Sequence, residues 1–323
     1  MEASPATAPP AVPRWLPAGA ALAAAGWGAN QFTPLAAVHR TQEQWHPVLV
    51  AVLFTAYLPG LLPGLLLGGP AADRFGRRRV VRAALLLSAA ASALPTAASS
   101  SPAAVCAGRL ATGVAAGFAL SAGAPLRLGG WCRRTVGHPR FVWVVLPASP
   151  AVFGAATVAY VVLPPLVADE VPGYAPLFSG VVAALTLSVG LVAQPLAVRL
   201  HHARTARATL AGMVTVIGGL LVGALAAYGD SVALVLVAAV LLGAGYGLTL
   251  GSGLLEIARL APPSALPSTA FLHQGAAYSG FLTPLLLAVT AGAAPYPALL
   301  TGMAVVGLLC LWVTARFSRG NPP

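Results

Sequence analysis

The chain has 323 residues, of which 58% are hydrophobic and only 8% are charged, with a mean hydropathy of +0.83. A soluble domain carries about 25% charged residues because it must cover its surface with them. The composition therefore excludes a soluble enzyme and predicts an all-α polytopic membrane protein. The net charge of +11, carried by arginine with no lysine, reads as orientation of membrane spans, with no nucleic-acid partner. The exclusive use of Arg reads as genome composition rather than chemistry.

Residues 1–13, rich in Ala and Pro, predict a disordered tail. Ten apolar runs of membrane-crossing length follow, at 16–38, 47–69, 79–98, 102–126, 141–163, 176–198, 208–228, 232–255, 267–290 and 296–315. Residues 16–27 imitate a signal-peptide core with a small-residue site near Ala25. A cleaved signal precedes a soluble mature chain and none follows, so this is read as an uncleaved first span. Prolines within the runs (Pro59, Pro63, Pro164, Pro284) are tolerated in membrane helices.

With the N-terminus inside, the inner segments hold Arg14, the group from Arg74 to Arg82, Arg127, Arg133, Arg134, Arg140, Arg199, Arg204, Arg207, Arg259, Arg316 and Arg319. Arg40 alone lies outside, and Arg109 lies within a span. Glu43, Asp169, Glu170 and Asp230 fall in outer loops. This bias predicts a multi-pass inner (plasma) membrane protein with both termini cytoplasmic. Trp15, Trp45, Trp131, Trp143 and Trp312 sit near span ends, where interfacial anchors are expected. Cys106, Cys132 and Cys310 match no metal pattern and no disulfide framework. No cofactor or metal is expected.

The run beginning at 16 and the run beginning at 141 open similar series: a span, a short outer loop, a span, an Arg-rich inner loop (69–79 and 199–207), a span, a very short outer loop and a fourth span. This argues for internal duplication. The second series continues with two further spans, so the layout is 4+6. The predicted units are an N-terminal bundle at 14–128, a cytoplasmic linker at 129–140 and a C-terminal bundle at 141–319.

The first inner loop reads Gly69-Pro-Ala-Ala-Asp73-Arg74-Phe-Gly76-Arg77-Arg78-Arg79. In order, spacing and position after the second span, it resembles the signature loop of the major facilitator superfamily. Arg109, Gly113 and Gly117 resemble the family's arginine-and-glycine motif of the fourth helix. Residues 28–35 resemble first-helix sequences of actinobacterial members. The resemblance covers about residues 14–319. After the fourth span the chain passes to Arg133, Arg134 and His138-Pro139-Arg140, which resembles the family's central loop, so the equivalents of helices five and six are expected to be missing. The resemblance implies a helical bundle that moves a small molecule by alternating access, with export and a proton as coupling ion.

Gly69 and Gly76 permit a tight reversal, and Asp73 is the single acid among five arginines. The resemblance implies that Gly69, Asp73, Arg74, Gly76, Arg77 and Arg78 form a latch that holds one conformation. Arginines alone would serve as an orientation signal, which would not need the Gly-x-x-x-Asp spacing. Arg109, well inside a span, is either a substrate or coupling element or a structural donor to backbone carbonyls. His273, inside the ninth span, is either a titrating group or a satisfied polar residue, and Glu256 closes the eighth span. Asn30, Gln31, Tyr57, Tyr246, Thr249, Gln274 and Tyr278 stand at mid-depth as candidate cavity lining, suited to neutral or amphiphilic molecules.

Two functions compete. One is a secondary transporter with the lipid bilayer and a small-molecule substrate as partners. The other is a membrane protein without transport, a remnant or a binding or sensory module, because the missing helices remove part of a cavity wall. An intramembrane enzyme lacks a His/Glu cluster, a Ser/Lys or Asp pair and a nucleotide loop.

Overall fold

The computed structural model describes residues 19–20, 24, 26, 28, 30–123, 130–201, 206–263 and 265–318. Within them the chain is helical throughout: α1 (Phe32–Thr41), α2 (Pro47–Phe75), α3 (Arg77–Ala97), α4 (Pro102–Gly123), α5 (Gly130–Val136), α6 (Phe141–Leu166), α7 (Ala175–Leu200), α8 (Arg207–Tyr228), α9 (Val232–Leu260), α10 (Leu266–Tyr278), α11 (Thr283–Thr290) and α12 (Tyr296–Ser318). The expected runs from 47–69 to 232–255 and the run at 296–315 each fall on one rod within the described residues, whereas the run at 267–290 is divided between α10 and α11. The first run is described only in part, and the 1–13 tail lies outside the described residues.

Seven rods (α2, α4, α6, α7, α8, α9 and α12) are long and apolar enough to cross a membrane. Together with the absence of strands among the described residues, this makes the chain an all-α polytopic membrane protein. Of the remaining rods, α10 and α11 are separated by the tight turn Ser279–Leu282, and α3 opens on Arg77, Arg78, Arg79 and Arg82. Leucines and valines such as Leu66, Leu191, Val192 and Leu309 face outward from the rods, as lipid-facing positions must.

One rod widens its turn ahead of proline at two places. In α6 the Leu146 N–H reaches back five residues to Phe141 ahead of Pro147, and the Leu163 N–H does the same to Val158 ahead of Pro164 and Pro165. Such wide turns are the usual form of local disruption in a helix that must still pair its backbone groups.

The reversal between α2 and α3 differs from expectation. The helix runs through Gly69, which is buried, and continues to Phe75. Gly76 alone turns the chain, at φ +89°, a region in which a residue without Cβ avoids the steric penalty. Gly69 lies in the helix because apolar packing continues past the last residue that hydropathy marks as membranous.

Close helix approach organises the N-terminal bundle. A Cβ on Gly60 would run into the Leu110 carbonyl oxygen, and one on Gly113 into the Tyr57 carbonyl oxygen. One on Gly117 would lie 2.5 Å from the Leu61 carbonyl oxygen. Small residues let backbones meet where lipid supplies no hydrophobic drive. Because the opposing atoms are backbone, Gly113→Ala is expected to cost about 1–3 kcal/mol, as overpacking does. The readout is the melting temperature and monodispersity of the detergent-purified chain, and an unchanged melting temperature would count against this packing.

Helix alternation gathers Asp73–Arg82, Arg133, Arg134, Arg140, Arg199, Arg207, Arg259 and Arg316 at one end, the basic end. Glu43, Asp169, Glu170 and Asp230 gather at the other, the acidic end. Among the described residues the two halves of the chain meet where α1 packs on α7 and on the 158–162 segment of α6, and where Pro47–Thr55 of α2 packs on α11. At the acidic end His39 is fully buried and stacks on Trp45 at 4.2 Å. Trp143 and Trp312, by contrast, are exposed at their rods' surfaces.

Candidate functional site

Arg109 stands on α4 with 2% of its surface exposed. Its Nη2 donates to the Phe54 carbonyl oxygen at 3.0 Å. The guanidinium carbon lies 4.9 Å from the Phe32 ring centre, 5.1 Å from Tyr57 and 5.6 Å from Phe54. A charge in a span costs at least about 2.5 kcal/mol on insertion scales. A desolvated cation–π contact returns about 2 kcal/mol, and a charged hydrogen bond about 1.5–3 kcal/mol. The cation is thus held by rings and a backbone carbonyl from α1 and α2.

The rings continue across the boundary between bundles. Phe281 lies 5.7 Å from Phe54 and 6.0 Å from Tyr57. Phe153 stacks on Tyr278 at 4.9 Å and touches Phe281 and Tyr246. The Tyr160 hydroxyl donates to Asn30 Oδ1 at 3.3 Å, joining α6 to the first span. Of the expected lining residues, Tyr57, Tyr246 and Tyr278 therefore meet in one aromatic cluster, with Asn30 at its edge. Gln274 is half-buried one turn before Tyr278, and Gln31 is half-buried at the start of α1.

Thr249 does not join the cluster. Its hydroxyl donates to the Gly245 and Tyr246 carbonyls, and a Cβ on Gly212 would lie 2.8 Å from its methyl, so it faces α8. Glycine on every face of α9 removed the pattern that would have told one face from another.

His273 lies on α10, 1% exposed. Its Nδ1 is 2.9 Å from Ser149 Oγ, and that hydroxyl donates to the Val145 carbonyl at 2.8 Å. A hydroxyl has one hydrogen, so with Ser149 donating to Val145 it accepts from His273, the tautomer with the neutral ring's proton on Nδ1. Nε2 then carries the lone pair, and it has no hydrogen-bond partner. A Cβ on Gly253 would stand 2.5 Å from it, so only glycine leaves this nitrogen room.

Asp73, Arg74, Gly76, Arg77 and Arg78 are exposed at the basic end, with Arg74 over the ring of Phe75 at 5.3 Å.

The strongest ionic contact was not anticipated as a pair. Arg140, fully buried, donates from Nε to Glu256 Oε2 at 2.6 Å and from Nη2 to Oε1 at 2.9 Å. Its Nη1 donates to the Ser318 carbonyl at 3.0 Å. The fork ties the start of α6 to the end of α9 and the last turn of α12. Nearby, burial and the Arg259 charge push the His201 imidazole below its ordinary value, against the pull of Glu256. The signal that could have revealed the pair is that Glu256 is the one acid of the C-terminal bundle at the arginine-rich end.

Buried rings around a caged cation thus stand inside an all-α polytopic membrane protein. Comparison with known proteins agrees over the first bundle. Residues 18–129 match the family model described as Major Facilitator Superfamily. A stretch of 102 residues is 36% identical to the 3-(3-hydroxy-phenyl)propionate transporter of Escherichia coli (strain K12), covering 32% of this chain and 23% of that protein. The matched stretch thus spans less than a quarter of the relative's length. The resemblance read from the signature loop is borne out over residues 18–129, where the chain is similar to the Major Facilitator Superfamily.

Proposed function

We propose that the chain is a secondary transporter working by alternating access, with the basic end cytoplasmic and the acidic end outside. The observation that carries this is Arg109, caged near the contacts of α1 and Pro47–Thr55 with α6, α7 and α11. That arrangement corresponds to closure on the outer side. The exposed Asp73–Arg79 turn then acts as a latch that favours one of two states. His273, with a lone pair facing Gly253, is the proton-carrying group, and Arg109 is the central charge that responds to substrate. The substrate is a small amphiphilic molecule whose apolar part exchanges with Phe281 and Tyr278, and net movement is export. The named relative transports an aromatic carboxylate, which supports an amphiphilic aromatic substrate.

The test is transport of labelled 3-(3-hydroxyphenyl)propionate in proteoliposomes, measured in both directions under an imposed pH gradient. Asp73→Asn is expected to reduce the rate about tenfold, equivalent to about 1.4 kcal/mol lost from the latched state, with unchanged reconstitution. Gradient-independent transport would remove the proton from the reading. Absence of transport in either direction by folded protein would favour the second reading, a binding module, which the ring-filled centre supports.

A further inference from the structure

A second polar site lies at the acidic end, away from Arg109. Thr33 and Arg40 are seven residues apart on α1, two helical turns, so they share one face about 10 Å apart along the axis. Between them on that face stand Ala36 and Ala37, whose small side chains leave space. Thr33, Ala36, Ala37, Arg40 and Ser179 line an inner recess of about 30 Å³. Ala37, Arg40, Ser179, Pro165 and Asp169 line the larger cavity of about 400 Å³ that continues from it. The recess is the size of a carboxylate head or one to two waters.

One buried hydroxyl facing this space is uncommitted. Thr55, Thr112, Thr186 and Thr269 each donate to the carbonyl four residues earlier. Thr33, 2% exposed, makes no such bond, and its Oγ1 has no partner at all. A buried hydroxyl left unpaired costs about 1–3 kcal/mol, which a ligand oxygen would recover. Arg40 is half-buried at the mouth, and the Tyr296 hydroxyl stands near it. The nearby acid, Asp169, is exposed on the rim, where water screens it.

We propose that this recess is a carboxylate-binding subsite at the outer mouth, in which Arg40 holds the anionic group at the entrance and Thr33 and Ser179 donate to its oxygens. The two hydroxyls supply donors in depth, and the guanidinium supplies the fork that matches a carboxylate. The subsite rests on the transporter reading only in being called an entrance; binding there does not need transport.

The experiment is equilibrium binding of radiolabelled benzoate to the full chain in nanodiscs, with unlabelled benzamide as the uncharged competitor. Saturable benzoate binding, not displaced by benzamide, is expected. Arg40→Gln should weaken it at least tenfold, Arg40→Lys less, and the near-isosteric Thr33→Val and Ser179→Ala severalfold each, all with the wild-type gel-filtration profile. Arg199→Gln, at an exposed arginine of the basic end, should leave it within twofold. No saturable binding, equal competition by benzamide, or loss in Arg109→Gln with retention in Arg40→Gln would each overturn the subsite. If binding follows the expected pattern while proteoliposomes transport nothing, the subsite stands and the transporter reading falls. If transport is present and Arg40→Gln binds like wild type, the reverse holds.

Discussion

Glu256→Ala is expected to destabilise the purified chain by about 3–5 kcal/mol, because it leaves a buried guanidinium without its counter-charge. Arg140 is fully buried and Glu256 is 1% exposed, so water cannot replace the missing carboxylate. The bond from Arg140 to the Ser318 carbonyl stays but supplies no counter-charge. Thermal unfolding followed by intrinsic fluorescence reads the loss. The double variant Arg140→Met/Glu256→Leu should recover much of it, since removing both partners of a buried pair is often close to neutral. A double variant as unstable as Glu256→Ala would show that the pair contributes net stability beyond avoiding an orphaned charge. Limited proteolysis adds a second reading. In the double variant the Ser318 carbonyl loses its Arg140 donor while the stacking of Phe317 on Trp143 at 4.9 Å stays, so cleavage near Arg316 should accelerate there.

The rods were legible because membrane helices announce themselves by length and hydropathy alone, a one-dimensional signal. The reversal at Gly76 was legible because a glycine beside charges at a span end has few other uses. Gly69 was misread as part of that reversal because hydropathy marks where charge begins, whereas the helix of α2 continues to Phe75. Pairings across the chain were not legible. Arg140 and Glu256 are 116 residues apart, and each looked like an ordinary charge at the end of a span. The cage around Arg109 takes Phe32 and Tyr57 from two rods, and no periodicity within one rod announces a partner on another. Side-chain direction in α9 was hidden for a related reason. With glycine at 243, 245, 247, 251 and 253, Tyr246 and Thr249 look equivalent in sequence, yet only Tyr246 reaches the aromatic cluster.

Arg109 gives the second large expected effect, and it separates stability from function. Arg109→Gln removes the charge that the bilayer penalises by at least about 2.5 kcal/mol, while a shorter amide keeps a donor near the Phe54 carbonyl. The variant should insert normally and melt at or above the wild-type temperature, yet lose transport in proteoliposomes. Arg109→Lys keeps the charge but replaces a planar cation lying among Phe32, Phe54 and Tyr57 with a compact ammonium that stacks poorly. It should transport at about a tenth of the wild-type rate or less, for about 1.4 kcal/mol of lost interaction. A structural arginine would give the opposite pattern, with both variants less stable and residual transport in proportion to folded protein. If the glutamine variant transported normally, the cage would be packing alone and the driving charge would have to be sought elsewhere. The cage makes that outcome costly to explain: three rings and a carbonyl are spent on a cation that a leucine could have replaced without any of them.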